Sequence, residues 1–86
     1  MIKYRMLAAE IIDDCFNGYD LKMNLEGEEV FQDSARFYFT DSLERSWQVA
    51  IEKTEEGYAW KLEEKVSEDW FISCSGDLDK NGNHIN

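Results

Sequence analysis

The residues of this chain best suited to chemistry are its oxygen ligands near the C-terminus. Asp77, Asp79 and Asn81 alternate along the chain, and Gly82 follows. Oxygen donors at the first, third and fifth positions of a loop, with glycine at the sixth, are what a sharp turn around calcium requires. The pattern then fails. His84 stands where an apolar residue is usual, Ile85 comes one place late, and the sequence stops at Asn86 before a bidentate acid can follow. The same residues read as an Asn81–Gly82 turn in a polar segment. Nucleophilic catalysis has less to draw on. His84 is the single histidine and lies in that segment, and Cys15 and Cys74 are far apart in sequence. A triad or a zinc site has no recognisable spacing here. Adjacent carboxylates are common (Asp13/Asp14, Glu28/Glu29, Glu55/Glu56, Glu63/Glu64), but neighbouring side chains diverge in a helix or strand and make no acid–base dyad. No glycine-rich phosphate loop is present. The expectation is a protein that is not an enzyme and needs no cofactor, with Asp77, Asp79 and Asn81 a weak calcium candidate only.

Residues 77–83 resemble the first half of an EF-hand loop, although no entering helix precedes them. The resemblance implies at most a calcium-responsive module.

Charge is the stronger functional signal. Nineteen acidic residues against nine basic ones give a formal net charge of −10 over 86 residues. Such a field keeps a small domain soluble and repels nucleic acid and anionic membranes, so the partners it favours are basic. The acids concentrate at 26–33, 52–56 and 63–69. Solubility alone accounts for charge of this kind. Carboxylates at loop tips can also imitate a row of phosphates and occupy a basic groove. No apolar run reaches the ~20 residues of a membrane helix, and the N-terminal apolar run is too short for a signal peptide. The cytoplasm is the expected location, with both cysteines as reduced, partly buried thiols.

The elements that would position these groups follow from apolar spacing. Trp47, Val49 and Ile51, then Tyr58, Trp60 and Leu62, recur at every second position, which marks two strands with one buried face. A loop over residues 54–57 sets Lys53 opposite Tyr58, Ile51 opposite Trp60 and Val49 opposite Leu62. A loop shorter by one residue would set Ile51 against Lys61, so the pattern selects its register. Gly57 is expected to take a left-handed conformation there. Residues 3–17 read as a helix, with Tyr4, Leu7, Ala8, Ile11 and Cys15 on one stripe and Asn17 and Gly18 as its stop. Residues 19–26 read as a strand, 27–29 as a turn, and 30–33 as a short helix or an irregular link. Residues 35–40 form a strand, 41–46 a polar connection or a single helical turn, and 67–69 a turn. The last strand begins at Trp70 and ends at Gly76. Trp70 and Phe71 cannot both point into a one-sided core, so one is covered by the helix or exposed.

The expected fold class is α+β, one N-terminal helix packed on a four- to five-stranded antiparallel sheet. Residues 1–76 form a single domain, and 77–86 a polar C-terminal tail or short turn. The far face of the sheet carries Lys22, Asn24, Arg36, Tyr38, Gln48, Glu52, Lys61 and Glu63 to water. In size, charge and want of catalytic residues the chain is similar to small acidic inhibitors: phage anti-restriction and anti-CRISPR proteins, and bacterial toxin-immunity proteins. That likeness implies a stoichiometric inhibitor that covers the basic site of a nucleic-acid-processing enzyme or toxin. The contact residues expected from the sequence are Glu28, Glu29, Glu55, Glu56, Glu68 and Asp69, with Tyr38 or Phe71 as anchors. The alternative is a structural or adaptor module that pairs through a sheet edge or apolar face. Either is a monomer or a homodimer, with no direct contact to nucleic acid or membrane.

Overall fold

A computed structural model describes residues 4–16 and 22–85, which form one helix on one sheet. The elements are α1 (Tyr4–Cys15), β1 (Asn24–Val30), β2 (Ser34–Thr40), β3 (Ser46–Lys53), β4 (Gly57–Val66), β5 (Asp69–Asp79) and β6 (His84–Ile85). Each strand pairs antiparallel with the next, in sequence order, giving a six-stranded meander. The α+β class is as expected. The additional strand is β6, supplied by the segment expected to be a tail or short turn.

Alternation builds the core. Leu7, Ala8, Ile11 and Ile12 of α1 lie on Ala35, Phe37, Val49, Ile51 and Leu62 of the sheet, all of them buried. Full burial of a side chain such as Phe37 or Ile51 contributes about 1.5–3 kcal/mol. The β3–β4 register pairs Lys53 with Tyr58, Ile51 with Trp60 and Val49 with Leu62, as the apolar spacing requires. Gly57 is needed there for a different reason from the one expected. Its φ is 158°, near the extended range, and a Cβ on it would lie 2.0 Å from the Leu78 carbonyl oxygen. The constraint is the passage of β5, which leaves no space for a side chain.

Three expectations need correction. The strand expected over residues 19–26 begins only at Asn24 and runs on to Val30. Gly27, Glu28 and Glu29 do not turn the chain. They lie within β1, where the register shifts between Leu25 and Gly27, and the glycine marks a bulge. The true turn follows at residues 31–33, closed by the Phe31 amide donating to the Ser34 carbonyl at 2.8 Å. Gly76 does not end the last strand, because β5 runs on to Asp79. Gly76 instead sits opposite Trp60, whose indole lies over it 2.9 Å from where a Cβ would stand. Beyond Asp79 the chain turns at residues 80–83 and returns as β6. The expected helix stop at Asn17 and Gly18, with residues 19–21, lies outside the described residues.

The β2–β3 connection is organised by Asp41, whose side chain is fully buried. Its Oδ1 accepts the backbone amides of Leu43 and Arg45, each at 2.9 Å. Its Oδ2 accepts Arg45 Nε at 2.7 Å and the indole Nε1 of Trp47 at 3.0 Å. Burial raises the Asp41 pKa, but the Trp47 and Arg45 bonds outweigh it and hold the carboxyl below its ordinary value.

Candidate partner-binding surface

The meander sorts the expected contact residues by position. Successive strands reverse direction, so the β1–β2, β3–β4 and β5–β6 connections share one end of the sheet. The β2–β3 and β4–β5 connections share the other. Glu55 and Glu56 occupy the β3–β4 tip, and Glu28 and Glu29 approach the same end on β1. Glu68 and Asp69 stand at the opposite end. With 10 residues in β4, and ~3.3 Å per residue, the two groups are about 30 Å apart. One small contact cannot span both.

The first end is the more acidic. The Lys53 amide donates to the Asp33 carbonyl at 2.8 Å, which ties the β1–β2 tip to the end of β3. Asp33, Glu52, Glu55 and Glu56 thereby form one exposed margin. None of these four carboxylates makes an ion pair with the described residues. Two basic residues lie at this margin: Lys53, and Lys80 of the β5–β6 turn, which lines the same hollow as Glu55. Glu28, by contrast, is held in an ion pair by Arg5 of α1, and Glu29 accepts the Tyr38 hydroxyl at 2.6 Å. That bond to Glu29 raises the Tyr38 pKa, burial adds to it, and Arg36 opposes it.

The sheet face away from α1 is mixed in charge. Ala50 and Ala59 floor an open groove of about 510 Å³ that Arg36, Lys61, Glu52 and Glu63 border. Tyr38 and Trp70 lean toward one another across this face, with ring centroids 6.4 Å apart. Beneath them the Gln48 side chain is buried and donates to Glu63 at 3.0 Å. Tyr38 is therefore half-buried structure in part, and the face is less open to water than alternation alone implies. Trp70 belongs to this face. Phe71 pairs opposite Glu64 on the helix side, and it is 55% exposed. Val66 and Ile72 are exposed close to it.

The calcium pattern is not folded as a cation loop. Asp77 pairs with Ala59 and Ile85 inside the sheet. Asp79 Oδ1 accepts the Asn81 amide at 2.8 Å and the Asn83 amide at 2.9 Å. The Asn83 bond leads in lowering the Asp79 pKa. The carboxylate thus closes its own hairpin turn. No cluster of three or more metal-ligating side chains occurs among the described residues.

The structure also joins two residues that the sequence left apart. Cys15, in the last turn of α1, meets Cys74 of β5 as a free thiol pair. Burial first, and then the Cys74 thiol, pushes the Cys15 pKa up to about 12. No helix is long and apolar enough to cross a membrane among the described residues. Comparison with protein-family models, with curated proteins and with solved structures yields no match for this chain.

Proposed function

We propose that this protein is a non-catalytic, stoichiometric inhibitor that covers the basic site of a nucleic-acid-processing partner. One observation carries the reading: Asp33, Glu52, Glu55 and Glu56 form an exposed margin without ion-pair partners among the described residues, on a chain of net charge −10. Such carboxylates keep their full field for an incoming cationic surface, and they lose little on binding because no internal pair must break. The reading narrows the contact to one end of the sheet. Glu55 and Glu56 lead it, Glu28 and Glu29 flank it, and Glu68 and Asp69 serve a separate contact.

The test is charge reversal. Glu55→Lys with Glu56→Lys removes the centre of the margin without touching the core. Association with a partner captured from lysate on the immobilised protein should slow by about tenfold or more at low salt, with dissociation changed less. Its salt dependence should flatten as well. An unchanged association rate and unchanged salt dependence would remove the β3–β4 tip from the contact.

A further inference from the structure

The two edges of the sheet are not alike. Both edge strands are bulged, β1 at Glu26 and β5 at Ser73, but the β1 edge carries Glu26, Glu28 and Glu29, charges that deter further strand pairing. The other edge is β5, mostly unpaired among the described residues. Strand β6 pairs with Asp77 and Leu78 alone, so residues 70–76 have a strand on one side and none on the other among the described residues. About every second residue of such a stretch directs its backbone N–H and C=O outward, where they await a partner strand. The stretch reads Trp, Phe, Ile, Ser, Cys, Ser, Gly. It holds no charge and no proline in a chain that is 33% charged, and Phe71 and Ile72 are 55% and 58% exposed. Its ends are acidic: Glu68 and Asp69 stand at one and Asp77 and Asp79 at the other, against Lys65 and Lys80.

We infer that the open β5 edge, residues 70–76, is a docking site for an extended basic strand of the partner, added antiparallel or parallel as a seventh strand. The backbone supplies the hydrogen bonds, Phe71 and Ile72 supply apolar contact on opposite faces, and the flanking carboxylates select lysine or arginine at the ends. Charge complementarity decides the occupant. A second copy would bring another −10 to the same edge, whereas a cationic strand relieves that charge. The site rests on the basic-partner reading for the sign of its ligand, but it lies on a different part of the sheet from the Glu55–Glu56 margin.

The probe is a synthetic nine-residue peptide of alternating lysine and valine, fluorescein-labelled, with binding to the whole protein read by anisotropy. A matched peptide N-methylated at alternate amides keeps the charge and loses the strand hydrogen bonds. Saturable binding is expected, weakened at least tenfold by N-methylation and at least threefold by Ile72→Lys. Slowed amide exchange confined to residues 70–76 should accompany it. Ile72 is exposed, so its substitution leaves the core intact, and the N-methylated peptide needs no variant at all. Equal binding of both peptides would show charge attraction without strand addition and would overturn the inference, as would absent binding. Concentration-dependent dimers that already protect residues 70–76 would overturn it in favour of a second copy. Glu55→Lys with Glu56→Lys should leave strand addition in place. Failure at the edge with a salt-sensitive partner retained refutes this site alone, and the converse refutes the acidic margin alone.

Discussion

Replacing Asp41 with alanine tests how the β2–β3 connection is held. The buried carboxylate accepts four hydrogen bonds, two from backbone amides, one from Arg45 and one from Trp47. Truncation strands the Trp47 indole N–H, on a residue only 4% exposed, at about 1–3 kcal/mol. The two amides lose a cap, worth roughly 1 kcal/mol together because their loop can turn to water. Arg45 is 40% exposed on its side chain, so its ion pair is discounted to a few tenths of a kcal/mol. The sum is about 3 kcal/mol, a large part of the roughly 5–10 kcal/mol expected of a domain this size. Urea unfolding followed by tryptophan emission should show the midpoint falling by about 2 M, for an m of about 1–1.5 kcal/mol/M. The pH dependence has a definite sign. The folded carboxyl titrates below its unfolded value, so its stabilisation is complete above about pH 4 and is lost as pH falls through the folded pKa. The gap between wild type and Asp41→Ala should therefore narrow in acid. A loss under about 0.5 kcal/mol at pH 7, or a gap unchanged down to pH 2, would refute the reasoning.

Two other outcomes follow from close contacts and from burial. Gly57→Ala places a methyl 2.0 Å from the Leu78 carbonyl oxygen, and Gly76→Ala places one 2.9 Å from the Trp60 ring. Gly57→Ala should cost about 3 kcal/mol or more and Gly76→Ala about 1–3 kcal/mol, read as urea midpoints; either variant at wild-type stability would contradict the packing described. The Cys15 thiol, raised to about 12 chiefly by burial, should react with an aromatic disulfide reagent at pH 8 at least a hundredfold more slowly when folded than in denaturant. Peptide mass spectrometry measures this directly, and rates within threefold of one another would show that the site is open.

The hairpin over residues 47–66 was legible because two apolar sets of period two flank a short loop, and one register alone buries both. The stripe on α1 was legible for the same reason, since Leu7, Ala8, Ile11 and Ile12 needed one common face. Glycine was the misleading signal. Gly27 with two following acids resembles a turn, yet it lies inside β1 next to a bulge, where a Cβ would meet only the Tyr38 ring at 4.0 Å. Gly76 resembles a strand end, yet it makes space for Trp60 from the neighbouring strand. The Gly76 demand is tertiary and leaves no mark on adjacent residues. The meeting of Cys15 with Cys74 is hidden likewise, because it depends on where α1 crosses the sheet. Asp41 carries a local signal of its role: an aspartate opening a polar link, with donors two, four and six residues later. For the candidate surface, the sequence showed which residues were acidic and at turns. That Glu55 and Glu56 lie a strand's length from Glu68 and Asp69 follows from β4 alone, whereas the approach of Glu28 and Glu29 to the Glu55–Glu56 end depends on how β1, β2 and β3 pair.

On the proposed reading, this chain competes with nucleic acid for a basic partner. The most direct measurement is affinity capture from a lysate of the source organism, followed by elution with duplex DNA or RNA and, separately, with salt, and then by competition binding on the purified captured protein. The expected capture is a protein that binds nucleic acid by itself, is released by both eluents, and binds one of nucleic acid or this chain at a time. Competition by the variant carrying Glu55→Lys and Glu56→Lys should be at least tenfold weaker. A captured partner that survives high salt and binds nucleic acid and this chain together would contradict that reading.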